Sequence, residues 1–384
     1  MHEASEFDPH VPPPRGEGRV VIFSRRRFSQ KVYRSAFYEF ENVIGTVDDV
    51  DYHAPAMLRA RSASYLASRM ADKIKFRLGL PSPPTTQVEE SHLPGTYELG
   101  FAIFEYASEI PTIRSIANWK KNCRKTVCYL GEHWPHEFSK PQKRACFELL
   151  GQFDFIICHC PQVGQLESLT GRPCHHLPVG IDALRFCPRS LNAPRPIEVF
   201  SMGRRSPAIH QALMRDAEAG RVFYLYDTAA GFDVMNWREH RELIANNIKR
   251  SEFFVSFKHN VSLESLTGGV EAVGARLFEG AAGGAIQIGM APDCDTFREY
   301  FDWEDAVIPM PYDCTHPLEF IKDLRWQPER LAAARRNSIS NTLRRHDWSQ
   351  RWKRILQLVD MPPMESLTQR EKELARAECN LQGN

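Results

Sequence analysis

The sequence predicts an α/β protein built from two doubly wound, Rossmann-like domains facing each other across a cleft. Three observations carry that prediction. Short apolar runs of strand length alternate with stretches of helical spacing, the pattern of βαβ units and a parallel sheet. The alternation runs once through the first half and restarts near residue 196. The 384 residues are more than one small domain needs.

In chain order, residues 1–18 are acidic and Pro-rich and read as a flexible arm. Val20-Val21-Ile22-Phe23 is a buried-strand run closed by the polar Ser24-Arg25-Arg26-Arg27. Residues 56–79 carry helical spacing up to the breaker Leu80-Pro81-Ser82-Pro83-Pro84. Strands are then predicted at Tyr97–Phe104, Thr126–Leu130 and Phe153–Cys158, with helices at Ile110–Lys121 and 141–150. An N-terminal domain over 19–180 results. In the second half, Pro196–Ser201, Val222–Tyr226, Phe253–Phe257, Ala285–Ile288 and Ala306–Pro309 predict strands. Helices are predicted up to Met214, over His240–Lys249, about Arg276–Ala282, and over Pro317–Asp323 and Pro328–Arg345. They complete a C-terminal domain over 181–345, and residues 360–384 read as a loose tail. In such sheets ligands bind outside the carboxyl ends of the strands, so the cleft between the domains is the expected site.

Composition bounds the function. The chain is 42% hydrophobic and 25% charged, which excludes a disordered chain or a fibrous repeat. Lys+Arg 49 against Asp+Glu 48 leaves +1, so no global field draws it to nucleic acid, and none is expected as a partner. The ten cysteines form no CxxC pair and sit in apolar runs, which reads as reduced thiols of a cytoplasmic protein. Cys158-His159-Cys160 with His175-His176 does not read as a metal site, because adjacent strand residues point to opposite faces and His159 faces away from Cys158 and Cys160. The N-terminus lacks an apolar h-region, and no run approaches the roughly 20 residues of a membrane span.

The segment that carries chemistry runs from Gly268 to Ala285. Glu271 and Glu279 are separated by seven residues, with glycines before the first and after the second. Glu279 falls in a helix that starts just after the Gly-rich stretch. Backbone N–H groups at such a start are ready donors for phosphate. A carboxylate takes two hydroxyls of a ribose or hexose. Gly274 lets the backbone approach a ligand closely.

This segment resembles the E-x7-E signature of retaining glycosyltransferases of the GT-B fold, of the large family 4 type. Glu271-Ala-Val-Gly274 stands where that family has E-G-F-G, and Glu279-Gly-Ala-Ala-Gly-Gly284 where it has E-A-x-A-x-G. Arg276-Leu277-Phe278-Glu279 is most similar to the branch related to spore maturation protein CgeB. Leu177-Pro178-Val179-Gly180-Ile181-Asp182, followed by Phe186, resembles the interdomain connection. Phe200-Ser201-Met202-Gly203-Arg204 resembles the first strand and loop of the C-terminal domain. Asp347-Trp348-Ser349 through Leu358 resembles the last helix, so residues 346–359 are expected to cross back to the N-terminal domain.

The resemblance implies a donor substrate that is a nucleotide-diphosphate sugar, UDP or GDP, and no metal cofactor. It implies that Glu279 binds the ribose, Glu271 the donor sugar, the Val273 and Gly274 N–H groups the sugar and diphosphate, and Arg204 the leaving diphosphate. His133, after the strand Thr126–Leu130, would stand near the donor sugar, with His159 second; neither is read as a general base. The chain departs from the family in two places. The Lys that follows the Gly-Arg is missing, and Arg205 or Lys258 would substitute. The N-terminal Gly-rich loop is replaced by Ser24–Ser29.

Two basic clusters bear on the acceptor. Arg335–Arg354 holds seven cations against Asp347, with Trp348 and Trp352 one helical turn apart. The preferred reading packs the two Trp inside; the other is a peripheral contact with the inner membrane face. Arg25, Arg26 and Arg27 with Lys120, Lys121, Arg124 and Lys125 would form a second patch suited to an anionic or lipid-linked acceptor. Two further functions stay open: a non-catalytic nucleotide-sugar-binding or assembly protein, and a nucleotide-sugar epimerase of the same fold.

Overall fold

The structure is a computed structural model that describes residues 14–27, 29, 31–55, 63, 66, 67, 70, 71, 74, 88–138, 141–228, 233–258 and 267–382. The arm over 1–18 and the helix predicted over 56–79 lie largely outside the described residues. The chain divides into two compact units. The first holds Met1–Pro178, Leu263–Val270 and Ile355–Pro362; the second holds Val179–Ser262, Glu271–Arg354 and Pro363–Asn384.

Each unit is built on one all-parallel sheet. In the first, β1 (Val20–Phe23), β2 (Val50–His53), β3 (Tyr97–Tyr106), β4 (Cys123–Glu132), β5 (Phe155–Cys158) and β6 (Cys174–His176) stand in the order β2-β1-β3-β4-β5-β6. In the second, β7 (Ile197–Ser201), β8 (Tyr224–Tyr226), β9 (Ser251–Phe257), β10 (Ile286–Met290) and β11 (Ile308–Pro309) stand in the order β11-β10-β9-β7-β8. The predicted α/β class with two parallel sheets is therefore observed. Strands such as Val20-Val21-Ile22-Phe23 are apolar throughout because helices cover both faces. One face of the first sheet packs Ala102, Phe104, Cys128 and Leu130 against Phe147 and Phe153. The other meets the helix Ser35–Val47 through Phe40, whose ring is 5.8 Å from that of Phe101.

The strand orders place the crevices. In the first sheet the order reverses between β1 and β3, and in the second between β7 and β9. The carboxyl ends of those strands are where an open parallel sheet offers a ligand site.

Several elements differ from the sequence reading. The helix Ser35–Val47 and the strands β2 and β6 were not predicted. Ile110–Lys121 is not an α-helix; a 3-10 helix spans Ala107–Ser115, and Pro111 inside it lacks the N–H that an α-helical turn would use. The tail over 360–384 is not loose: Glu365–Gln382 is an α-helix that buries Leu367, Leu374 and Leu381. Its Arg370 donates to Asp182 Oδ1 at 2.7 Å and to Asp347 Oδ2 at 2.8 Å.

The helix Trp348–Leu358 starts in the second unit, and its last turn, from Ile355, belongs to the first. The segment that follows is tied into the first unit. Lys125 Nζ donates to the Val359 carbonyl, and Arg19 Nη2 to the Pro362 carbonyl at 2.8 Å.

Most cations of the first cluster are engaged within the fold, and the second cluster is divided between the two ends of one sheet. Trp348 and Trp352 are fully buried. Arg335 donates to the Gly284 carbonyl at 3.0 Å and Arg351 to the Val179 carbonyl at 3.2 Å. Arg344 pairs with Glu378, Arg345 with Asp302, and Lys353 with Glu371 at 2.7 Å. The N-terminal patch is corrected by register. Through β3, Val20 stands level with Lys125, so Arg25–Arg27 lie beyond one end of β1 while Lys120, Lys121, Arg124 and Lys125 gather at the other end of that parallel sheet. Among the described residues no helix is long and apolar enough to cross a membrane.

Candidate functional site

The second unit brings most of the predicted residues to the carboxyl ends of β7, β9 and β10. The helix Ala275–Gly283 follows an extended stretch from Glu271, and its N-cap is Gly274 with φ −74° and ψ 158°. Gly274 has no side chain to accept from the first turn; the Leu277 N–H donates to the Gly274 carbonyl at 3.1 Å, and the Ala275 and Arg276 N–H groups remain available to a ligand. Val273 is buried just before the cap. The glycines after Glu279 do something other than approach a ligand. A Cβ on Gly280 would stand 2.6 Å from Gln287 Oε1, and one on Gly283 would stand 2.3 Å from Ile248 Cγ2. They let the helix lie close on the sheet and on the helix Trp237–Lys249.

Glu279 is 4% exposed, and its Oε1 accepts from Arg241 Nη1 of the helix Trp237–Lys249. Arg241 lies 4.6 Å from the centre of the Phe186 ring. Nothing among the described residues bonds Glu279 Oε2. A buried carboxylate beside one guanidinium, with one oxygen unengaged, suits acceptance of a vicinal diol. Glu271 is more open. Lys258, just past β9, pairs with its Oε1, and the Asp293 N–H donates to its Oε2 at 2.5 Å. Lys258 is thus engaged by Glu271.

The turn after β7 carries the cations. Gly203 has φ +66°, a left-handed conformation that glycine adopts without strain. Its N–H donates to Asp227 Oδ2 at 2.9 Å, and Arg205 Nη1 donates to Asp227 Oδ1 at 2.9 Å. Arg205 also lies 5.4 Å from the Tyr226 ring centre. Arg204 is exposed. Its carbonyl accepts from Arg276 Nη1 at 3.2 Å, which brings the second residue of the Ala275–Gly283 helix onto the turn. Burial lowers the pKa of Arg276; Arg204 and Arg205 lower it further, while Glu279 and Asp227 oppose that.

His133 lies in the first unit, one residue past β4. It is 0% exposed, and neither ring nitrogen finds a partner among the described residues. Burial, with a smaller push from His176, lowers its pKa to about 4, so the ring is neutral. The side chain is not presented to a ligand. His159, the second choice, is also buried. Glu105, two residues from the end of β3 and level with Gly131 beside it, is another inward polar group. Burial first, then Glu132, raises its carboxyl well above the usual range. Among the described residues no group of three or more His, Cys, Asp or Glu is placed to hold a metal ion.

Sequence reasoning missed Arg241, Asp227, Glu105 and the role of Arg276. A lone Glu directly after the apolar run Phe101–Phe104 was a readable signal for Glu105. Arg276 sat inside the quoted motif. The Arg241–Glu279 pair joins two helices 38 residues apart and leaves no linear pattern.

Residues 204–357, less than half of the chain, match the family described as Glycosyl transferase-like. No curated protein matches the chain significantly. Among solved structures, the chain is similar to Anabaena Alr3699/HepE in complex with UDP and glucose, with TM-score 0.53 and 11% identity, covering 89% of this chain and 99% of that one. It is also similar to a trehalose-6-phosphate synthase analysed for glycosyltransfer with retention, with TM-score 0.50 and 10% identity, covering 90% and 100% of the two chains. The chain has the GT-B fold of these neighbours, and its C-terminal half holds a glycosyl transferase-like region.

Proposed function

We propose that this chain is a retaining glycosyltransferase whose second unit binds a nucleotide-diphosphate sugar, with UDP as the first candidate nucleotide. The observation that carries the reading is the seat of Glu271 and Glu279 on either side of one uncapped helix start, with the Arg204 turn held against that helix. Glu279 Oε2 takes the ribose diol. The N–H groups from Val273 to Arg276 and the Arg204 guanidinium take the diphosphate. Glu271 takes hydroxyls of the donor sugar. UDP and retention belong to the solved neighbours; they suit a site of this charge and shape.

Such a site works by position and charge. The acceptor hydroxyl attacks the anomeric carbon from the face that the diphosphate leaves. The sugar–phosphate C–O bond breaks, the new C–O bond forms, and the hydroxyl proton passes to the departing phosphate oxygen. The guanidiniums and the helix start stabilise the charge that develops there, which leaves no step that calls for a metal. His133, buried and neutral, takes no part in proton transfer. The acceptor is a hydroxyl-bearing glycan, lipid-linked glycan or small molecule.

The test is calorimetric titration with UDP-, GDP- and ADP-sugars, then NMR of the products. Tight binding with retained anomeric configuration in the transferred or released sugar supports the reading. Binding without turnover reveals a non-catalytic nucleotide-sugar binder. A new sugar epimer from donor alone reveals an epimerase. Absence of nucleotide binding overturns all three.

A further inference from the structure

We infer that Arg276 is a diphosphate-binding and turn-positioning residue of the second unit, a role that rests on the donor-site reading above. Two contacts place it. Its Nη1 donates to the Arg204 carbonyl at 3.2 Å, and a Cβ on Gly203 would stand 2.3 Å from its Nη2. The guanidinium therefore occupies the place where a side chain on Gly203 would stand, a position that only a residue without a side chain leaves open. Asp227 grips the same turn from the other side through the Gly203 N–H and Arg205. The turn that bears Arg204 is held between a carboxylate and a guanidinium.

Cationic side chains crowd this spot: Arg204 and Arg205 repel Arg276, while Glu279 and Asp227 attract it. Both Asp227 oxygens accept from other donors, Arg205 and the Gly203 N–H, and Glu279 Oε1 accepts from Arg241. A guanidinium cannot shed its proton to relieve such crowding. The Arg276 guanidinium on the Arg204 turn, next to the uncapped start of a nine-residue helix, makes a locus completed by a multiply charged anion. The fork of Arg276 offers donors toward Arg204 O and, from the same plane, toward phosphate oxygens. Arg276 also accounts for a cation at this turn without the Lys that the chain lacks.

A strut and a phosphate ligand make different predictions. If Arg276 only held the turn, its loss would act through Arg204 and would cost nothing further in an Arg204→Met background. If it binds the diphosphate itself, the loss falls on the ligand with two phosphates and persists in that background; an Arg204→Met/Arg276→Met variant that binds diphosphate no more weakly than Arg204→Met overturns direct binding. The experiment is calorimetric titration of wild type, Arg276→Met and Arg276→Lys with UDP and UMP, or with GDP and GMP if the wild type prefers guanine. Arg276→Met should weaken diphosphate binding by about 10–100-fold, the range for one charge-assisted cation, and monophosphate binding by less than about threefold. Arg276→Lys should recover part of the diphosphate loss. Gly203→Ala, which pushes the guanidinium away, should show the same selectivity if Arg276→Met fails to fold. Arg221→Gln, which breaks the exposed pair with Asp216, should leave the diphosphate-to-monophosphate ratio unchanged. Equal losses for both ligands, or none, overturn the inference while wild-type binding upholds the donor site. A wild type that binds no nucleoside diphosphate overturns the donor site itself.

Discussion

The two units end their parallel sheets in opposite ways. At the strand ends of the second unit the acidic side chains are paired with cations: Glu279 with Arg241, Glu271 with Lys258, Asp227 with Arg205. At the strand ends of the first unit an Arg34–Glu109 pair is present, but beside it burial shifts Glu105 and His133 toward their neutral forms. One topology thus supports two electrostatic designs. Paired charges can exchange a protein partner for a ligand, whereas buried neutral groups resist ionisation and offer an anion little. The contrast explains why the donor reading settles on the second unit.

The contrast breaks most visibly at Glu279. Glu279→Ala strands Arg241, which is 2% exposed, and should cost about 3–5 kcal/mol of unfolding free energy along with nucleotide binding. Chemical denaturation of this variant and of Arg241→Met checks it, and the two should be destabilised to a similar degree. Next comes Glu271→Gln, whose pair with Lys258 is partly open. Single-turnover kinetics should fall by about 100-fold or more, the scale for one transition-state contact, while calorimetry finds UDP affinity within about threefold of wild type.

In the first unit the expected effects are pH slopes. Burial pushes the folded pKa of His133 down to about 4 from the ordinary 6.5. The unfolded state therefore binds the proton first, and this residue removes stability as pH falls from about 6.5 toward 4. His133→Phe should flatten that limb by up to one proton, about 1.4 kcal/mol per pH unit. Glu105 has the opposite sense. Its folded pKa lies above that of the unfolded chain, so it removes stability as pH rises past the ordinary Glu range. Glu105→Gln should gain stability relative to wild type at pH 8 and not at pH 4. Denaturation midpoints across pH 4–8 test both; parallel curves would show that burial does not hold these groups neutral. The smallest effect belongs to Lys353→Met, whose pair with Glu371 is 41% and 33% exposed. It should change stability by less than about 1 kcal/mol.

The second edge was largely legible in the sequence because Glu271, Gly274, Arg276 and Glu279 lie on one short stretch that starts a helix. The first edge was not, because Arg34, Glu105, Glu109 and His133 are gathered from separate segments by sheet register. The helix Ser35–Val47 escaped notice because Phe37, Tyr38, Phe40, Val43, Ile44 and Val47 are weak helix formers held by burial. β2 and β6, four and three residues long, are too short to show a period. Gly280 and Gly283 had no role assigned from the sequence beyond their place in the motif, and they prove to be spacers for helix packing.

The late segment Ile355–Pro362 has a consequence for biosynthesis. Lys125 and Arg19 wait for the Val359 and Pro362 carbonyls, which leave the ribosome only after nearly the whole chain has been made. The first unit is begun first but completed only after most of the second has been made, so the usual order in which an N-terminal domain matures before its neighbour cannot apply in full. A nascent chain halted anywhere before Val359 carries an unsealed first unit, and that interval is when it most needs protection from its own exposed core.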